Sequence, residues 1–99
     1  MKKHEVANEE IVRFQEIEDE NARYKYTLTA KRSKNVASFG LKLYSIRIEM
    51  LTQDGYYTEA HTGDIFADLG KATVFFERLC DNLATPINLA YILEDSLTV

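Results

Sequence analysis

The strict alternation of "RYKYTLTAK", residues 23–31, constrains this chain more than any other stretch. Tyr24, Tyr26, Leu28 and Ala30 occupy one side of a period-two pattern; Arg23, Lys25, Thr27 and Thr29 occupy the other. Successive side chains of a strand point to opposite faces, so the pattern predicts a β-strand with one dry and one wet face. Its backbone donors and acceptors need partners, and the neighbouring segments must supply them.

"RSKN" then reads as a polar turn, followed by a long strand from about Val36 to Leu51. A four-residue loop over Arg32–Asn35 sets Ala30 opposite Ala37, Leu28 opposite Phe39, Tyr26 opposite Leu41 and Tyr24 opposite Leu43. Every apolar residue meets an apolar one in that register. The long strand changes phase afterwards, from Phe39, Leu41 and Leu43 to Tyr44, Ile46, Ile48 and Met50, which predicts a β-bulge near Leu43–Ser45. "QDG" at 53–55 makes the next hairpin. A three-residue loop with Gly55 in the left-handed position pairs Ile48 with Ala60 and Met50 with Thr58, and keeps the apolar face clean. The third strand covers about Tyr56–Thr62, with Tyr57, Glu59 and His61 pointing outward.

The C-terminal third is helical. "DLGKATVFFERLCDNLA" places apolar residues at 69, 72, 76, 79, 80 and 83, with Asp68 as N-cap. "TPINLAYILEDSL" has Thr85 as N-cap, Pro86 at the first helical position and a face of Leu89, Ile92, Leu93, Ser96 and Leu97. Upstream, "EEIVRFQEIEDEN" fits a helix through Ile11, Phe14 and Ile17, or a strand through Val12 and Phe14 with "EDEN" as the turn. The strand is preferred because a hairpin partner follows at once. Residues 1–8 are expected to be disordered. The expected fold is α+β, one domain over 1–99: an antiparallel meander of three or four strands, then two helices packed on one face.

Composition narrows the function. Ninety-nine residues bury about 65% of their unfolded surface, enough for one modest core. The formal net charge is −4, which disfavours nucleic acid, whose binding runs on phosphate neutralisation by Lys and Arg. Arg23, Lys25, Lys31, Arg32 and Lys34 do form a local basic run. Their alternation, however, puts the tyrosines on the opposite face, where a base could not stack beside a cation. The single cysteine, Cys80, excludes an intramolecular disulfide and a Cys₂His₂ or Cys₄ zinc site. The opening "MKKHEVANEE" lacks the apolar run of a signal peptide, and apolar runs elsewhere are only a few residues long. No membrane association and a cytoplasmic location are expected.

"TEAHTGDIFADLGKA", residues 58–72, is the stretch that looks most like chemistry. Glu59, His61 and Asp64 could ligate zinc or manganese or hold a small ligand, with Asp68 nearby. Their spacing matches no metal motif, and each residue has a structural explanation: strand face, strand end, helix cap. Gly63 and Gly70 with Lys71 depart from the spacing of a phosphate loop. Cys80 lies on an apolar helix stripe and reads as a small hydrophobe. No catalytic constellation or cofactor site emerges, so the chain is expected not to be an enzyme. The expectation is a non-enzymatic interaction or regulatory module, with a protein partner or itself as a homo-oligomer. Its candidate surface is the outward face carrying Arg47, Glu49, Tyr57, Glu59 and His61, a mixed aromatic and charged set.

"RYKYTL", "YSIRIEM", the "GDI" handover and "LATPINLAYILED" together resemble a small uncharacterised family of clostridial and other Firmicutes proteins, classed as a domain of unknown function. The resemblance covers about residues 20–97. It implies a small bacterial cytosolic protein with no assigned activity, and it carries no functional residues over to this chain.

Overall fold

The computed structural model describes residues 9–32 and 41–97. Strands β1 (Glu9–Glu18), β2 (Ala22–Arg32), β3 (Lys42–Thr52) and β4 (Tyr57–His61) precede helices α1 (Leu69–Asp81) and α2 (Pro86–Leu97). The strands form one antiparallel sheet in the order β1-β2-β3-β4. The fold is therefore the expected α+β meander with four strands, and 9–18 is a strand rather than a helix. Residues 1–8 lie outside the described residues.

Both outer hairpins are fixed by local chemistry. Between β1 and β2, the Asp19 carboxylate accepts from the amides of Asn21 and Ala22 at 2.8 and 2.9 Å, an Asx turn. Between β3 and β4, Gly55 takes φ +91° and donates to the Thr52 carbonyl at 3.0 Å. The Thr52 hydroxyl accepts from the Tyr56 amide at 2.9 Å and also bonds Asp54. The pairing is Ile48 with Ala60 and Met50 with Thr58, as the three-residue loop requires.

The central register differs from the sequence expectation. Ala30 faces Tyr44, Leu28 faces Ile46, Tyr26 faces Ile48 and Tyr24 faces Met50. Each partner lies seven residues beyond the one a four-residue loop would supply. The described strand runs Lys42–Thr52, the expected start at Val36 lying outside the described residues, and its pairing with β2 runs to Thr52 without a shift, so no bulge occurs near Leu43–Ser45. The physical reason is burial. In this register Tyr44, Ile46 and Ile48 stand beside β2's apolar residues on the buried side of the sheet. The turn "RSKN" and Phe39 fall largely or wholly outside the described residues. The sheet does contain a bulge, in β1 between Ile11 and Arg13. The extra residue reverses the faces of β1 beyond that point.

The helices cover the face that carries Tyr24, Tyr26, Leu28, Ala30, Tyr44, Ile46 and Ile48. From α1 come Ala72, Phe75, Phe76, Leu79 and Cys80; from α2 comes Leu89, with Ile92 and Leu93 half-buried. Leu69, expected on the α1 stripe, is exposed, and Phe75 takes the place in the core. The Asp68 carboxylate caps α1 by accepting from the Gly70 amide at 3.1 Å. Thr85 and Asn88 cap α2 reciprocally. The Asn88 amide donates to the Thr85 hydroxyl at 3.3 Å, and the Thr85 amide donates to the Asn88 side chain at 3.4 Å.

Between the helices the chain closes a Schellman turn. Ala84 donates to the Leu79 carbonyl and Leu83 to that of Cys80, with Leu83 at φ +49° where glycine is usual. After β4, Gly63 at φ +79° turns the chain so that Phe66 bridges back to Tyr44. Phe66 then packs on Phe75, with ring centroids 5.4 Å apart.

Candidate functional site

The two helices leave the second face of the sheet uncovered, and the register lays that face out in rows across the strands. One row reads Phe14, Thr27, Arg47, His61 from β1 to β4. The next reads Glu16, Lys25, Glu49, Glu59, and the one after it Glu18, Arg23, Leu51, Tyr57. In the other direction lies Ile11, Thr29, Ser45. Directly opposed residues on one face of an antiparallel pair sit within contact distance, so each row is a line of neighbours.

All five residues singled out from the sequence fall on this face. Arg47, Glu49, Tyr57, Glu59 and His61 occupy adjoining positions on β3 and β4. Glu49 and Glu59 are opposed like charges, an arrangement that needs compensation. The Arg47 guanidinium supplies part of it, 3.2 Å from the Glu59 carboxylate. The Tyr57 hydroxyl supplies more, donating towards Glu49 at 3.0 Å and Glu59 at 3.3 Å. Desolvation and the two carboxylates beside it push the Tyr57 phenol up to about 12. The cluster is thus held together at a half-exposed surface: a tyrosine, an arginine and two glutamates presented on the flat of two strands.

Two basic side chains of β2 also pair with carboxylates. Arg23 lies 3.8 Å from Glu16 and 3.7 Å from Glu18, and Lys31 lies 3.2 Å from Asp64. The basic side chains of β2 therefore stand among carboxylates, while Tyr24 and Tyr26 stack on each other in the core, centroids 6.3 Å apart. Lys34 lies outside the described residues.

Glu59, His61 and Asp64 do not converge. Glu59 is held by Arg47 on the sheet face, while Asp64, beyond the end of β4, is held by Lys31. Among the described residues no three His, Cys, Asp or Glu side chains are grouped to hold a metal ion. Cys80 is buried, and desolvation, with Asp81 adding to it, pushes its thiol up to about 11. No helix of the described residues is long and apolar enough to cross a membrane.

Two residues of the face were not anticipated. Ile11 and Phe14 are both exposed large hydrophobics of β1 on the uncovered side. The bulge between Ile11 and Arg13 puts both there. A bulge adds one residue to one strand and leaves no compositional mark, so alternation alone could not reveal it. Arg13 goes to the helix side, where its guanidinium lies 5.4 Å over the Phe76 ring and 3.4 Å from Glu77.

A family model described as a family of unknown function (DUF6514) matches residues 5–99, so the likeness extends through β1. No curated protein and no solved structure matches the chain.

Proposed function

The chain belongs to this family of unknown function, DUF6514, and from that premise we propose that it is a small non-enzymatic interaction module whose uncovered sheet face receives a partner protein. The observation that carries the reading is the composition of that face. An antiparallel sheet can turn one side to water, and such a side is ordinarily polar. Here Ile11, Phe14, Leu51 and Tyr57 are 66%, 53%, 42% and 50% exposed on it, with Arg47 at its centre. Exposed aromatics beside arginine are characteristic of binding surfaces. The cluster of Arg47, Glu49, Tyr57, Glu59 and His61 supplies the polar half, and Ile11 and Phe14 supply an apolar anchor on β1. The same reading places the protein in a bacterial cytoplasm, as the Firmicutes resemblance implies, where a lone thiol such as Cys80 stays reduced.

The test compares the parent chain with two exposed-site variants. Tagged protein is recovered from its native cytoplasm and the co-purifying proteins are identified by mass spectrometry. Arg47→Glu with Tyr57→Ala, and separately Phe14→Asp, should each remove a stoichiometric partner that the parent retains. A partner that stays bound to both variants, or a parent that brings down nothing in stoichiometric amount, sinks the reading.

A further inference from the structure

The helix layer carries a second unpartnered surface, independent of the sheet face. An open trough of about 1170 Å³ runs between α1, the segment before it, and the side of α2. Phe66, Val74, Phe75 and Ile92 line it with apolar surface, and Lys71 and Arg78 stand on its α1 wall. Residues 71, 74, 75 and 78 share one face of α1, so the wall reads cation, apolar, apolar, cation over about 10 Å of helix. Two carboxylates also border the trough. That of Asp68 is engaged in capping α1, and Asp95 belongs to the α2 wall.

Beside the trough, α2 offers a matching ridge. Ile87 and Tyr91 are 71% and 69% exposed, the two largest values among the exposed large hydrophobics of the described residues. At spacings of four and three residues, Ile87, Tyr91 and Glu94 fall on one outward stripe of α2. The helix contains no basic residue; its charges are Glu94 and Asp95. The ridge is therefore apolar then acidic, and the trough wall is apolar flanked by bases. Ridge and trough adjoin on the same surface, because α2 contributes Ile92 to one and Tyr91 to the other.

We infer that the occupant of the trough is the α2 ridge of a second copy of this chain, in a two-fold dimer in which each copy's Ile87 and Tyr91 enter the other's trough and Glu94 meets Lys71 or Arg78. A two-fold interface must be self-complementary, with one patch serving as both donor and receiver. A ridge that ends in Glu94 and an α1 wall that carries Lys71 and Arg78 adjoin on one face and meet that requirement, with Asp68 and Asp95 also bordering the trough. The trough is wide and open, which suits a helix better than a small molecule that a pocket would have to enclose.

Sedimentation equilibrium of the full chain over a concentration series tests the inference. The parent should show a reversible monomer–dimer equilibrium. Ile87→Asp with Tyr91→Asp should leave only monomer, since both residues are exposed and outside the core. Lys71→Glu and Glu94→Lys should each weaken the dimer by about tenfold or more, and the two together should restore much of the loss. A parent that is monomeric throughout overturns the inference, as does a dimer that survives Ile87→Asp with Tyr91→Asp. A dimer broken by Tyr57→Ala but not by the α2 changes also overturns it, and moves self-association to the sheet face.

Discussion

Tyr26 on β2 donates its phenolic proton to the main-chain carbonyl of Ala84 at 2.9 Å, across fifty-eight residues of sequence. The ring is fully buried and Ala84 nearly so. The bond ties the centre of the sheet to the junction between the two helices, where Ala84 closes the Schellman turn.

Replacing Tyr26 by Phe keeps the ring and removes the donor. The buried Ala84 carbonyl is then left without its partner, at a cost of about 1–3 kcal/mol. Urea denaturation should show a lower midpoint with an unchanged slope. An unchanged midpoint would mean that this bond contributes nothing net.

Leu28 and Ile46 face each other across β2 and β3 and are both fully buried. Each truncated to Ala should cost about 2–5 kcal/mol. As contacting residues they should show a coupling of about 0.5–3 kcal/mol in a double-mutant cycle. A shorter loop would instead have coupled Leu28 to Phe39. Additive effects for Leu28 and Ile46 would rule out the register described above.

Asp68→Ala removes the side-chain acceptor that caps α1 and should destabilise the fold by about 1 kcal/mol, whereas Asp68→Asn should keep most of it. Thermal melts of the three proteins decide the matter; equal melting temperatures would mean that the cap is supplied some other way.

The Tyr57 phenol has a higher pKa in the folded chain, about 12, than the ordinary 10.0. A group whose folded pKa is raised favours the folded state below its unfolded pKa. That contribution is lost as pH rises from 10 towards 12, because the unfolded chain gives up the proton first. A phenolate absorbance titration of the parent against Tyr57→Phe should show one tyrosine missing from the late-titrating part of the curve. If the missing tyrosine titrates near 10, the hydrogen bonds to Glu49 and Glu59 do not hold in solution.

Cys80 should react slowly with a thiol reagent at neutral pH and rapidly once urea unfolds the chain, since burial raises its pKa and blocks access. Rapid labelling of the folded protein would contradict its position in the core.

Much of this architecture was legible because it is written in short-range terms. Alternation in residues 23–31 identified the buried side of β2. Asp54 and Gly55 set the last hairpin, and Asp68, Thr85 and Pro86 marked helix starts. Each of these signals depends on residues within a few positions of one another. The central register was not legible, because Phe39, Leu41 and Leu43 offer as clean an apolar match to β2 as Tyr44, Ile46 and Ile48 do. Only the total burial under α1 and α2 separates the two, and that is a long-range quantity. The β1 bulge was hidden for a related reason: "EEIVRFQEIE" fits several phases, and its contacts with β2 choose among them. The β3–β4 half of the candidate face was therefore anticipated from the second hairpin, while Ile11 and Phe14 became visible only through the fold.

The strict chain order of the fold has a consequence for its synthesis. All four strands precede both helices, so a ribosome delivers the complete sheet, with Tyr26, Leu28, Ile46 and Ile48 on its surface, before the segment that covers them exists. At about 5–20 residues per second, the stretch from Ile65 to the end of α2 at Leu97 takes roughly 2–7 seconds to synthesise. Throughout that interval the nascent sheet is a half-made layer with an adhesive side. Chaperone contact with the nascent chain should therefore concentrate once β4 has emerged, when the chain has most to hide and nothing yet to hide it with.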